Sequence, residues 1–64
     1  MNKPLVSICI PAYNSARFIT RTIEAALNQT YDNIEVVVVD DKSTDETVQV
    51  VNSIEDKRVR LIRN

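Results

Sequence analysis

Glycine is missing from all 64 residues, as are histidine and tryptophan, and cysteine occurs once. An average chain of this length would carry about four or five glycines. Their absence excludes any phosphate-binding loop in which glycine lets backbone N–H groups approach an anion, so neither a P-loop nor a G-x-G-x-x-G turn is present. Without histidine and with a single thiol, zinc sites of Cys and His and disulfide frameworks are excluded too. A metal held here would have to be a hard cation bound by oxygen. Charge of one sign is also lacking. Eight Lys and Arg face nine Asp and Glu, for a net charge of -1, and no single-sign field exists to draw in nucleic acid or an anionic membrane. No apolar run approaches the length needed to cross a bilayer. The segment Met1 to Pro4 has neither the apolar core nor the small-residue cleavage pattern of a signal peptide. The expected location is therefore the cytoplasm, with the cytoplasmic face of a membrane open to a longer chain. A chain this short allows one domain at most and buries only about 60% of its unfolded surface.

What the sequence does have is short apolar runs separated by amphipathic stretches. The runs are Leu5 to Ile10, Ile34 to Val39 and Val59 to Ile62. The second is almost wholly β-branched, which suits a pleated strand and opposes helix. Between the first two, Phe18, Ile19, Thr22, Ile23, Ala26 and Leu27 recur at spacings of three and four, the stripe of an amphipathic helix that Asn14 or Ser15 could cap. Between the second and third, Ser43 followed by Glu46 reads as a capping box, and Val48, Val51 and Ile54 supply a second stripe. The pattern predicts strand, helix, strand, helix, strand, and hence a parallel α/β sheet.

Right-handed crossovers dominate parallel connections, so a strand order of 3-2-1 puts both helices on one face. Val36 to Val39 are apolar without alternation, as in a strand covered on both sides, and these residues hold nothing to cover the second side. The expectation is the N-terminal piece of a larger domain, or a chain that forms a homo-oligomer through the exposed sheet face.

Ligands of open parallel sheets bind beyond the carboxyl ends of the strands. The first strand runs into Pro11-Ala12-Tyr13-Asn14 and the second into Asp40-Asp41-Lys42-Ser43. Both lead into helix N-termini, whose unpaired N–H groups favour anions. Tyr13 offers a flat face for stacking on a base or, alternatively, packs over the sheet end. At least one of Asp40 and Asp41 is expected to project over that end. A carboxylate only accepts hydrogen bonds, so it selects a base that presents a ring N–H, such as uracil or guanine, over cytosine. Helix-start and turn chemistry is the competing account of the same pair. Asp45 and Glu46 are assigned to the first turn of the second helix, Lys42 to a phosphate or to solvent, and Arg58, Arg60 and Arg63 to guarding an edge strand. Cys9, inside an apolar strand, is expected to be buried and inert.

Three segments together, Val6-Ser7-Ile8-Cys9-Ile10-Pro11-Ala12-Tyr13-Asn14, Leu27-Asn28-Gln29-Thr30-Tyr31 and Ile34 through Asp45, resemble the start of family 2 glycosyltransferases of the GT-A fold. The resemblance covers nearly the whole chain. It implies that residues 1–64 are the truncated, Rossmann-like βαβαβ N-terminal half of a nucleotide-sugar transferase domain. It further implies that Pro11, Ala12 and Tyr13 line a nucleoside pocket, that Asp41 binds the base, usually uracil, and that Asp40 supports the turn. The implied partners are a nucleotide-diphospho-sugar donor, most often a UDP-sugar, and an acceptor. The divalent cation of such enzymes, Mg or Mn, and their catalytic base are expected from residues outside this chain. Many relatives carry Gly where this chain has Lys42, so a positive φ there would strain the lysine.

Two rival readings remain at this stage. An acidic pair after an apolar strand also resembles a receiver-type signalling domain, but that arrangement needs the pair after the first strand and a phosphoacceptor Asp after a later one. The third reading is a non-catalytic, self-associating fragment.

Overall fold

The computed structural model describes residues 3–64. Five elements follow one another: β1 (Val6–Ala12), α1 (Ile19–Leu27), β2 (Ile34–Asp40), α2 (Thr47–Asn52) and β3 (Val59–Arg63). All three strands are parallel, in the order β1-β2-β3. This is the predicted 3-2-1 order seen from the other edge, with β2 in the centre. The register pairs Ile8 with Val36, Ile10 with Val38 and Ala12 with Asp40, and then Val36 with Val59 and Asp40 with Arg63.

Both helices lie on one face, touching each other as well as the sheet, as right-handed crossovers in this order require. Alternate strand residues Ile10, Ala12, Val36 and Val38 meet Ile19, Ile23 and Ala26 of α1 and Val51 of α2 in one core, with Leu27, Val50, Ile54 and Leu61 around it. Ile23, Val36 and Val38 are completely buried, each contributing about 1.5–3 kcal/mol by its removal from water. No helix among the described residues is long and apolar enough to cross a membrane.

The opposite face carries Cys9 and Pro11 from β1, Val37 and Val39 from β2, and Arg60 and Ile62 from β3, because successive side chains point to opposite sides. Val37, flanked in register by Cys9 and Arg60, is 7% exposed, whereas Ile62 is 42% exposed. Cys9 is itself exposed, which corrects the expectation of a buried thiol. No helix covers this face, so only the central Val37 is hidden there, by strand neighbours on both sides, while Cys9 on the edge strand has a neighbour on one side alone.

Local details of the helices also differ from expectation. α1 begins at Ile19 after a turn in which the Ser15 carbonyl accepts from the Phe18 and Ile19 amides at 2.9 and 2.8 Å. Neither Asn14 nor Ser15 caps it by a side chain, and Phe18 is 59% exposed because it precedes the first full turn. Thr22 is exposed too, its hydroxyl donating to the Phe18 carbonyl at 3.1 Å. α2 begins at Thr47 with no side-chain cap, so Asp45 and Glu46 precede the helix and Ser43–Glu46 forms no capping box. Six residues containing three valines make a weak helix former. Its stability comes from packing Val50, Val51 and Ile54 on the sheet.

Candidate functional site

The carboxyl edge of the sheet is built from the β1–α1 and β2–α2 loops, and side chains of each hold backbone groups of the other. The Asn14 amide donates to Ser43 Oγ at 2.9 Å, the Ser15 amide to Thr47 Oγ1 at 2.8 Å and the Ala16 amide to Asp45 Oδ2 at 3.2 Å. In return, Asn14 Oδ1 accepts from the Thr44 amide at 2.7 Å, the Asp45 amide at 3.3 Å and Thr44 Oγ1 at 3.3 Å. Two residues of these loops have positive φ, Asn14 at 47° and Lys42 at 58°. Asparagine tolerates that region, while lysine bears a cost of about 1 kcal/mol. The positive φ conditionally expected at Lys42 is therefore present.

The two predicted carboxylates part company here. Asp40, the last residue of β2, is 1% exposed. Its Oδ2 accepts from the Ser43 amide at 3.1 Å and its Oδ1 from the Ser43 hydroxyl, so the whole carboxylate is engaged in supporting the turn. Asp41 is exposed, and its side chain has no hydrogen-bond partner among the described residues. Its backbone amide donates to the Ala12 carbonyl at 2.9 Å, extending the β1–β2 ladder one step past the strands. That bond sets residue 41 beside the end of β1, directly before Tyr13.

Tyr13 is 60% exposed, which decides against the packed alternative for its ring. Its backbone is fixed from both sides by Ser15, whose hydroxyl donates to the Tyr13 carbonyl at 3.1 Å and accepts from its amide at 3.3 Å. Pro11 and Ala12 lie inside β1 and face opposite ways, Pro11 outward on the bare face and Ala12 buried at 4% beneath the helices. Ala12 reaches the edge through its carbonyl. Proline at position 11 is tolerable because β1 is an edge strand, where one N–H has no ladder partner to lose.

Asp45 is held well on the ionised side of the ordinary carboxylate range, chiefly by the hydrogen bond from the Thr47 hydroxyl, then by the Thr47 and Ala16 amides. Thr47 itself is completely buried. Its hydroxyl joins three segments, accepting from Ser15 and donating to Asp45. Sequence reading alone missed Asn14, Ser43, Asp45 and Thr47 as the frame of this edge. The available signal was a threonine on the buried side of an otherwise valine-rich helix, a polar group that needs a partner.

A divalent cation does not fit these residues. Asp40 is buried with both oxygens bonded by Ser43, and among the described residues no three potential ligands come together. The receiver-type reading also fails, since the acidic pair follows the second strand and β3 ends in Arg63.

Residues 7–64 match the model of the glycosyl transferase family 2. The chain is 52% identical over 60 residues to the UDP-Glc:alpha-D-GlcNAc-diphosphoundecaprenol beta-1,3-glucosyltransferase WfaP of Escherichia coli, a match covering 94% of this chain and 24% of that protein. It is 46% identical over 63 residues to an uncharacterized glycosyltransferase of Haemophilus influenzae, covering 95% of this chain and 25% of the relative. It is also 49% identical over 61 residues to the chondroitin synthase of Pasteurella multocida, covering 92% of this chain and 6% of that enzyme. The parallel α/β edge and these matches together define a glycosyltransferase segment; the chain belongs to glycosyl transferase family 2. It spans a quarter or less of the length of these relatives.

Proposed function

We propose that this chain holds the nucleotide of a nucleotide-diphospho-sugar donor, with UDP as the nucleotide, for glycosyl transfer to an acceptor. The observation that carries the reading is the state of Asp41. Asp40 and Asp45 are engaged in holding the loops, whereas Asp41 stands exposed at the end of the ladder with no side-chain partner among the described residues, its amide bonded to the residue before the exposed Tyr13. Tyr13 supplies a face on which a base stacks, worth about 1–3 kcal/mol in nucleic-acid complexes. Asp41 accepts the ring N–H of uracil and repels the bare ring nitrogen of cytosine. A relative named for transfer from UDP-Glc supports uracil over guanine. In this reading the divalent cation on the diphosphate and the catalytic base are supplied by residues other than these 64.

The test is UDP binding, by calorimetry, in the protein carried to the length of its relatives. Asp41→Ala weakens UDP by about 1.5–3 kcal/mol, or roughly ten- to a hundredfold, if its charged hydrogen bond to the base is made. Unchanged affinity rejects the assignment.

The exposed Cys9, Pro11 and Ile62 favour a second behaviour of the isolated chain, association of two copies through the bare face. Its sedimentation coefficient then rises with concentration, and Ile62→Lys lowers the rise; a concentration-independent monomer removes this behaviour.

A further inference from the structure

We infer that Asn14 is a positioning residue for the nucleoside, a clasp that fixes Tyr13 and Asp41 relative to each other without itself touching the base. This rests on the reading of Tyr13 and Asp41 given above. The Asn14 amide donates to Ser43 Oγ, and its side-chain oxygen takes the Thr44 and Asp45 amides, so one residue bonds three consecutive positions of the other loop. Its neighbour in sequence is Tyr13, and one residue separates Asp41 from Ser43. The clasp is therefore bonded one residue beyond Tyr13 and two beyond Asp41, the two groups that would meet the nucleoside.

Two features make asparagine the residue for this position. Its φ of 47° turns the chain so that backbone and side chain both address the second loop, a region open to Asn, Asp and Gly at low cost. All its side-chain bonds are received by Oδ1, and Nδ2 has no partner among the described residues. An acceptor is needed, and an amide nitrogen is not. Aspartate meets both demands, and glycine meets only the first.

The loops bear on affinity through preorganisation. Binding to a site assembled only part of the time is weakened by the fraction assembled, and ordering loose loops on binding costs free energy that a rigid site does not lose. The experiment compares UDP and GDP dissociation constants and melting temperatures of native protein, Asn14→Gly, Asn14→Asp and Asp41→Ala, each carried to the length of the relatives. Asn14→Gly is expected to weaken UDP about tenfold, as for a site assembled a tenth of the time, and Asn14→Asp to stay within about twofold of native. A structural contribution alone would lower the melting temperature and leave the dissociation constant unchanged. In the native protein, UDP is expected to slow hydrogen exchange at the Thr44 and Asp45 amides, a readout that needs no variant. Native affinity in Asn14→Gly, equal loss in Asn14→Asp, or exchange unaffected by saturating UDP each overturns the clasp. If Asp41→Ala weakens UDP while Asn14→Gly does not, only the clasp falls. If Asp41→Ala is without effect, or native protein binds neither UDP nor GDP, the nucleoside reading falls and takes the clasp with it.

Discussion

The two edges of the sheet are stitched by a different balance of chemistry. At the carboxyl edge, side-chain oxygens of Asn14, Ser43, Asp45 and Thr47 capture backbone amides of the loops that lead into the helices. At the amino edge, side-chain donors capture backbone carbonyls: Asn33 Nδ2 donates to the Lys3 carbonyl at 2.6 Å and the Tyr31 hydroxyl to that of Pro4. Charge at the amino edge is used in pairs, Lys3 with Asp32 at 3.1 Å, exposed, and Arg58 with Asp56 at 2.9 Å, half-buried, where Asp56 also accepts the Arg58 amide at 2.8 Å. Helices start at one edge, where loose N–H groups call for acceptors. Acceptors at the carboxyl edge are nearly all occupied by the loops, which is why the free carboxylate of Asp41 stands out there, whereas the amino edge pairs its charges with one another.

Three substitutions or conditions sharpen this contrast, beginning with the largest effect. Thr47→Val keeps the volume of a fully buried side chain but leaves the Ser15 amide without its acceptor. It should cost about 1–3 kcal/mol in urea unfolding; a loss near zero would mean that the carboxyl edge is not held by this bond. Acid comes next. Asp45, Asp32 and Asp56 all sit below the ordinary carboxylate range, through hydrogen bonds from Thr47, Lys3 and Arg58 respectively. A folded-state value below the unfolded one gives stability that is complete above the unfolded value, about 3.9, and lost as pH falls through the folded value. Below about pH 4, the protection of the Ala16 amide, its exchange rate taken relative to the intrinsic rate at each pH, should therefore fall, and Asp45→Asn, which keeps one of the two acceptor oxygens and cannot titrate, should flatten that step. Smallest is Lys3→Ala at the amino edge. With both partners more than 60% exposed, the pair is screened by solvent, and melting should not change measurably. A large drop there would reverse the ranking of the two edges.

Much of the fold was legible because it follows from spacing. The valine run from Val36 to Val39 marks the central strand, and the recurrence of Ile19, Ile23 and Ala26 marks the buried side of α1. Handedness then places both helices on one face. The caps were not legible, because Ser, Thr, Asn and Asp have the same local preference for helix starts whatever their partners. Here the partners lie 29 to 32 residues away, across a crossover, and no local pattern encodes that. The exposure of Cys9 escapes the sequence for a related reason. Alternation along β1 tells which residues share a side, but covering depends on the helices. At the candidate site, the sequence pointed to Tyr13 and to the Asp pair; which Asp is engaged and which free depended on Ser43 turning back onto Asp40.

The same span of 29 to 32 residues between bonded positions orders events during folding. A bond across that distance closes a loop whose entropy must first be overcome, and parallel pairing is slow for the same cause. The Asn14, Asp45 and Thr47 contacts cannot form until β1 and β2 lie side by side and the first crossover, through α1, has closed. Bonds at the amino edge span 27 to 30 residues, so both edges consolidate only once β1 and β2 have paired, and neither can persist when that pairing opens.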